Sequence, residues 1–168
     1  FQEIILTNFE KYNITFFENG LPSGTTWYVN LSNGQSYSSS TSTIAFNESN
    51  GTYSYTLAIS NKEYAPTQYS RSFTVNGASI TESITFNLIT YKITFTESGL
   101  SSGTTWYVTL NGTTKSSSNN TIIFNEPNGS YAYTIQGISG YRTTTYSGTI
   151  TINGNPIDEN ITWSVILY

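Results

Sequence analysis

Tyr12–Leu31 reads YNITFFENGLPSGTTWYVNL, and Tyr91–Leu110 reads YKITFTESGLSSGTTWYVTL; fifteen of the twenty positions are identical. Both stretches alternate with a period of two. Trp27, Val29 and Leu31 fall on one side and Tyr28 and Asn30 on the other, as Trp106, Val108 and Leu110 do against Tyr107 and Thr109. That period belongs to a half-buried β-strand. The match continues outward at a drifting offset: Phe46 answers to Phe124, Tyr53 to Tyr131, Asn76-Gly77 to Asn153-Gly154, and Phe86 to Trp163. The chain is therefore one β module written twice, and internal duplication at this period marks arrays and scaffolds.

The same alternation sets the expected core. In the first copy it selects Tyr12, Ile14 and Phe16; Ile44 and Phe46; Tyr53, Tyr55 and Leu57; Phe73 and Val75; and Ile84, Phe86 and Leu88. The second copy gives Tyr91, Ile93 and Phe95; Ile122 and Phe124; Tyr131, Tyr133 and Ile135; Ile150 and Ile152; and Ile161, Trp163 and Val165. Trp27, Trp106 and Trp163 are the expected core anchors. Asn-Gly pairs at 33–34, 50–51 and 76–77, and again at 111–112, 128–129 and 153–154, punctuate these runs. Ser38–Thr43 and Ser116–Asn120 read as polar loops. Six or seven short strands per copy predict an all-β chain of two tandem immunoglobulin-like β-sandwiches. The expected organisation is an N-terminal apolar strand over residues 1–11, a first sandwich over 12–89 and a second over 90–168. No Pro- or Gly-rich linker separates the copies.

Composition excludes several classes of function. The chain has no Cys, His or Met and only 10% charged residues, with a net charge of −4. Disulfides and thiolate or imidazole metal sites are ruled out. Six scattered Lys and Arg make no basic patch, which argues against nucleic acid. No apolar run is long enough for a membrane span. With no Met in the chain, Phe1 is read either as exposed by processing, most simply the removal of a secretory signal, or as a point part-way along a longer chain. The ten acids comprise nine Glu and one Asp, Asp158. Asp-poor, charge-poor chains suit hot acid, although ten acids are a small sample.

Catalysis finds little support. Glu18 and Glu97 are equivalent, as are Glu48 and Glu126, and a carboxylate pair is one form of hydrolytic site. Duplication alone accounts for their recurrence, and each lies beside a turn. No residue is assigned a catalytic or metal-binding role, and no cofactor is expected beyond covalent N-linked glycans. Asn-x-Ser/Thr acceptors occur at Asn13, Asn30, Asn47, Asn50, Asn111, Asn119, Asn128 and Asn160. A chain this rich in Asn, Ser and Thr holds several by chance. All eight nevertheless fall on outward strand positions or in turns, where glycans would hydrate a charge-poor surface.

Phe1–Lys11 has no place in the repeat. Ile4, Ile5, Leu6 and Phe9 are too apolar to stay uncovered. The segment precedes Tyr12 as Ser83–Thr90, the last strand of the first copy, precedes Tyr91. It reads either as an extra strand on the first sandwich or as a strand donated to another molecule. The recipient would be the preceding subunit's second sandwich, around Tyr91–Thr96 or Ile161–Leu167. Strand donation is an established mode of association, and a head-to-tail contact that does not close makes a filament.

The phrase I-T-F-x-E-x-G-L-x-S-G-T-T-W-Y-V, followed by F-N-E-x-N-G-[ST]-Y-x-Y-T, resembles the tandem β repeat of cell-surface proteins of thermoacidophilic archaea, found with thermopsin-type exported proteins. The likeness covers residues 12–168. Two such repeats with an apolar N-terminal strand resemble the subunit of archaeal thread surface filaments. The resemblance implies an exported, glycosylated, non-enzymatic cell-surface protein that polymerises head-to-tail with copies of itself through Ile4, Ile5, Leu6 and Phe9. The alternative is an adhesive or anchoring β-sandwich module of a secreted or S-layer-associated protein, whose partners would be other cells or surfaces.

Overall fold

The computed structural model describes residues 10–167. Two compact units divide between Leu88 and Ile89. The first contains β1 (Lys11–Asn19), β2 (Trp27–Leu31), β3 (Ser36–Ser39), β4 (Thr43–Ser49), β5 (Gly51–Ile59), β6 (Tyr64–Pro66), β7 (Ser70–Val75) and β8 (Ile80–Leu88). The second repeats the plan with β9 (Tyr91–Ser98), β10 (Trp106–Leu110), β11 (Thr113–Ser117), β12 (Thr121–Glu126), β13 (Gly129–Ile135), β14 (Tyr141–Thr143), β15 (Ser147–Ile152) and β16 (Ile157–Val165). Each unit is a sandwich of two four-stranded sheets, ordered β4-β1-β8-β6 and β3-β2-β5-β7, then β12-β9-β16-β14 and β11-β10-β13-β15.

Size and layering are those of tandem immunoglobulin-like sandwiches. The connectivity has its own character. β1 and β2 lie in opposite sheets, and the first strand of each unit runs parallel to the last. Immunoglobulin constant domains keep their first two strands together.

Alternation places the core as expected. Ile14, Phe16, Trp27 and Val29 are wholly buried, as are Ile93, Phe95, Trp106 and Val108. In the first unit Phe16 packs edge-on against Tyr55 with ring centroids 4.9 Å apart, and Phe95 meets Tyr133 likewise at 5.0 Å. Such contacts add to the area burial of each ring. Trp27 Nε1 donates to the Thr41 carbonyl at 2.8 Å, and Trp106 Nε1 to the Asn119 carbonyl at 2.7 Å. The indole thereby fixes the connection that follows the third strand in each unit.

Three expectations need correction. Each unit has eight strands, because β3 and β11 extend into the stretches read as polar loops and the short β6 and β14 add an edge strand. β3 and β11 are Ser- and Thr-rich hairpin partners at a sheet edge, so no apolar alternation announces them. Leu88 and Val165 are exposed at 40% and 56% despite their inward parity. They end the closing strand, where among the described residues they pair with Tyr64 of β6 and Tyr141 of β14 alone. Glu48, read as lying beside a turn, is buried on the inward side of β4, where it accepts a hydrogen bond from Tyr37 at 3.5 Å.

The Glu-x-Gly-Leu turns have a local explanation. Gly20 and Gly99 adopt φ of +98° and +96°, and a Cβ on either would collide with the carbonyl oxygen of Phe86 or Trp163. Only glycine tolerates both that backbone and that approach. The Glu18 and Glu97 carboxylates accept the backbone N–H of Leu21 and Leu100, each at 3.3 Å. Both are therefore turn caps.

Candidate assembly surface and modification sites

The closing strand organises the exposed edge of each unit. β8 pairs in parallel with β1 from Ile14↔Ile80 to Asn19↔Thr85, and β16 with β9 from Ile93↔Ile157 to Ser98↔Thr162. On its other side β16 pairs with β14 only at Trp163–Val165. Among the described residues, no strand pairs with that outer side over Ile157–Thr162. β9 is flanked by β12 and β16. The expectation of a recipient beside Tyr91–Thr96 thus meets a strand whose two sides are both taken; the free backbone lies along β16. Ile4, Ile5, Leu6 and Phe9 lie outside the described residues.

Carboxylates from the closing strands join the two sheets. Tyr133 on β13 donates to Glu159 on β16 at 2.7 Å, and Tyr55 on β5 to Glu82 on β8 at 3.3 Å. Burial, with the neighbouring Glu, pushes each tyrosine up to about 12. The units then diverge. Arg71 lies opposite Tyr55 and 3.9 Å from Glu82, whereas Gly148 lies opposite Tyr133. A Cβ at Gly148 would come within 2.6 Å of the Tyr133 ring, so that ring occupies the room a side chain needs. In the first unit Asn30, Ser54, Thr56, Ser70, Arg71 and Ser72 line an open hollow of about 420 Å³.

A second pair of positions also diverges. Tyr37 stacks on Phe46 with centroids 3.9 Å apart. In the second unit Lys115 takes that place, with Nζ 4.8 Å from the centre of the Phe124 ring. A cation over the ring face replaces a stacked ring.

Seven of the eight acceptor asparagines are exposed, and Asn30 is half-buried. Asn13 and Asn47 are direct cross-strand partners on the outer face of β1 and β4. Asn50 Oδ1 accepts from the Gly77 N–H at 2.7 Å, and Asn128 Oδ1 from Gly154 at 2.8 Å. These bonds use the oxygen and leave Nδ2, the atom a glycan takes, without a role in them. Sequence reasoning missed this tie, although the repeated Asn-Gly pairs carry its signal. Among the described residues no group of three or more acids lies close enough to hold a metal ion, and no helix is long and apolar enough to cross a membrane.

No protein-family model matches the sequence, and no curated protein matches it. The fold has solved counterparts. The Bacillus anthracis TIE protein is similar over 92% of this chain at 14% identity, with a TM-score of 0.57. A streptococcal ancillary pilin is similar over 94% at 13% identity, with a TM-score of 0.41, and the minor pilin of Streptococcus agalactiae over 94% at 11%, with a TM-score of 0.39. The chain spans 34% of the TIE protein and 64% of the ancillary pilin. At these identities the likeness is one of fold.

Proposed function

We propose that this chain is a structural subunit of an extracellular surface filament of the archaeal thread type. It is N-glycosylated and non-enzymatic, and it polymerises head-to-tail by giving Phe1–Glu10 as a strand to the second unit of a neighbouring copy. The observation that carries this reading is the succession of strands. In the described chain the closing strand β8 ends at Leu88 and the next first strand begins at Tyr91. Phe1–Glu10 holds that same place ahead of β1. Four apolar side chains buried at about 1.5–3 kcal/mol each would favour the association. Backbone ladder bonds offset part of the cost of ordering the strand, about 1–2 kcal/mol per residue. Deleting residues 1–10 tests the reading: the shortened chain should stay folded and lose polymerisation in electron micrographs, and filaments that persist would sink it.

The hollow around Arg71 favours a second reading, a non-catalytic adhesive module. Its hydroxyl and guanidinium lining suits an acidic sugar, and the second unit has Gly148 in place of the arginine. Glycan binding lost on Arg71→Ala would support it.

A further inference from the structure

Asn30 stands in the wall of the hollow that holds Arg71, and of the eight acceptor asparagines it alone is half-buried. Strand register lays out the floor between them. Asn30 on β2 pairs with Thr56 on β5, and Thr56 with Ser70 on β7, next to Arg71. Ser54 and Ser72 pair in a second row alongside. Small side chains leave the depth, and their hydroxyls both donate and accept. At about 420 Å³ the hollow falls in the range of about 300–1,000 Å³ common to small-molecule sites.

Both ends of that floor keep polar groups to spare. Asn30 Oδ1 accepts from Ser36 Oγ at 2.6 Å, a bond that leaves Nδ2 free of it. The half-exposed Arg71 guanidinium stands 3.9 Å from Glu82, beyond hydrogen-bond reach. Its fork of N–H donors suits an acidic group.

The second unit lacks both ends. Thr109 replaces Asn30, its hydroxyl bonded to that of Thr114 at 2.8 Å, and Gly148 replaces Arg71. The floor between is kept, since Thr134 pairs with Thr109 and with Ser147 as Thr56 does with Asn30 and Ser70. Acceptor and arginine are present together in one copy and absent together in the other.

We propose that the hollow is the seat of the chain's own Asn30-linked glycan, folded back over the Ser and Thr floor with an acidic sugar on Arg71. This rests on the N-glycosylation proposed above. An oligosaccharide carried as a lipid-linked phosphate ester supplies the sugar: its anomeric carbon bonds to Nδ2, the phosphate leaves, and Nδ2 gives up one of its two protons. Tethering then makes the seating intramolecular, at an effective concentration on the order of millimolar, so contacts too weak to hold a free sugar hold this one. The seated glycan sheathes the outer face of β2, β5 and β7.

The test uses the full chain glycosylated in its native host, as wild type and as Arg71→Ala. Glycopeptide mapping is expected to find carbohydrate on Asn30. Periodate cleavage of the sugar diols, followed glycopeptide by glycopeptide, should be several-fold slower at Asn30 than at the other occupied acceptors. Arg71→Ala should raise the Asn30 rate to theirs and leave theirs unchanged. Equal rates in the wild type, or a slow Asn30 rate that survives Arg71→Ala, overturn the proposal. A bare Asn30 beside other occupied acceptors overturns it and leaves the glycosylated reading standing, whereas a chain bare at all eight overturns both. Arg71-dependent capture of the free glycan pool, released from native protein, by chains with Asn30 occupied would show the hollow open and favour the adhesive reading instead.

Discussion

The hydroxyl of Tyr133 donates to the Glu159 carboxylate at 2.7 Å, bridging the two sheets of the second unit from β13 to β16. Tyr55 and Glu82 repeat the bridge in the first unit at 3.3 Å. Burial comes first among the causes that raise Tyr133, and the glutamate second.

Alkali should therefore weaken both units. A tyrosine whose pKa rises from 10 to about 12 on folding contributes stability that is fully present below pH 10 and lost as pH climbs through about 12. Absorbance titration should show Tyr55 and Tyr133 among the late tyrosines, one late group being lost in Tyr133→Phe. Full ionisation of every tyrosine near pH 10 with the fold intact would contradict the bridges.

Acid should do little. Among the described residues one ion pair is present, Arg71 with Glu82 at 3.9 Å, and the arginine is half exposed. An exposed pair of this kind is worth about 0–1 kcal/mol. Circular dichroism at pH 2–3 is expected to match that at pH 7. Cooperative unfolding between pH 5 and pH 3 would count against a protein adapted to acid.

The three tryptophans should behave differently. Trp27 and Trp106 fill the core and satisfy their N–H groups on backbone carbonyls, so Trp106→Ala should cost about 3–5 kcal/mol. Trp163 is 3% exposed, yet among the described residues its Nε1 has no hydrogen-bond partner. Phe86 holds the equivalent place in the first unit. Trp163→Phe removes the unpaired donor and should cost under about 1.5 kcal/mol in urea unfolding. A loss as large as that of Trp106→Ala would show that the indole is needed there.

Carbohydrate is expected on at least three of the eight acceptor asparagines in native material, giving an intact mass above the bare 18.6 kDa. Asn13 and Asn47 face each other across β1 and β4, where side chains stand about 4.5–5.5 Å apart at Cβ. One glycan covers that spot, so glycopeptide mapping should find chains carrying one or the other. Routine double occupancy would argue against the register of that pair.

Much of this architecture could be read from residues such as Trp27, Val29 and Leu31, because a two-residue period has one structural meaning when its apolar face repeats in a second copy. What escaped were features set by partners remote in sequence. Ser36–Ser39 is a strand because Asn30 and its neighbours pair with it, and its own side chains carry no pattern. Glu48 is buried because Tyr37 reaches it from the opposite sheet. Leu88 has inward parity, but exposure depends on where the core ends. The divergence of Arg71 from Gly148 becomes legible only when their shared tyrosine position is seen across the strand.

The parallel pairing of first and last strands has a mechanical consequence. A pull on the two ends of the first unit acts at Lys11 and Leu88, driving β1 and β8 along each other in opposite directions. The six residue pairs between Ile14↔Ile80 and Asn19↔Thr85 then bear the load together, in shear, instead of parting one by one like a zipper. β9 and β16 give the second unit the same geometry. Each unit, pulled by its own ends, would meet the force with a ladder loaded in shear.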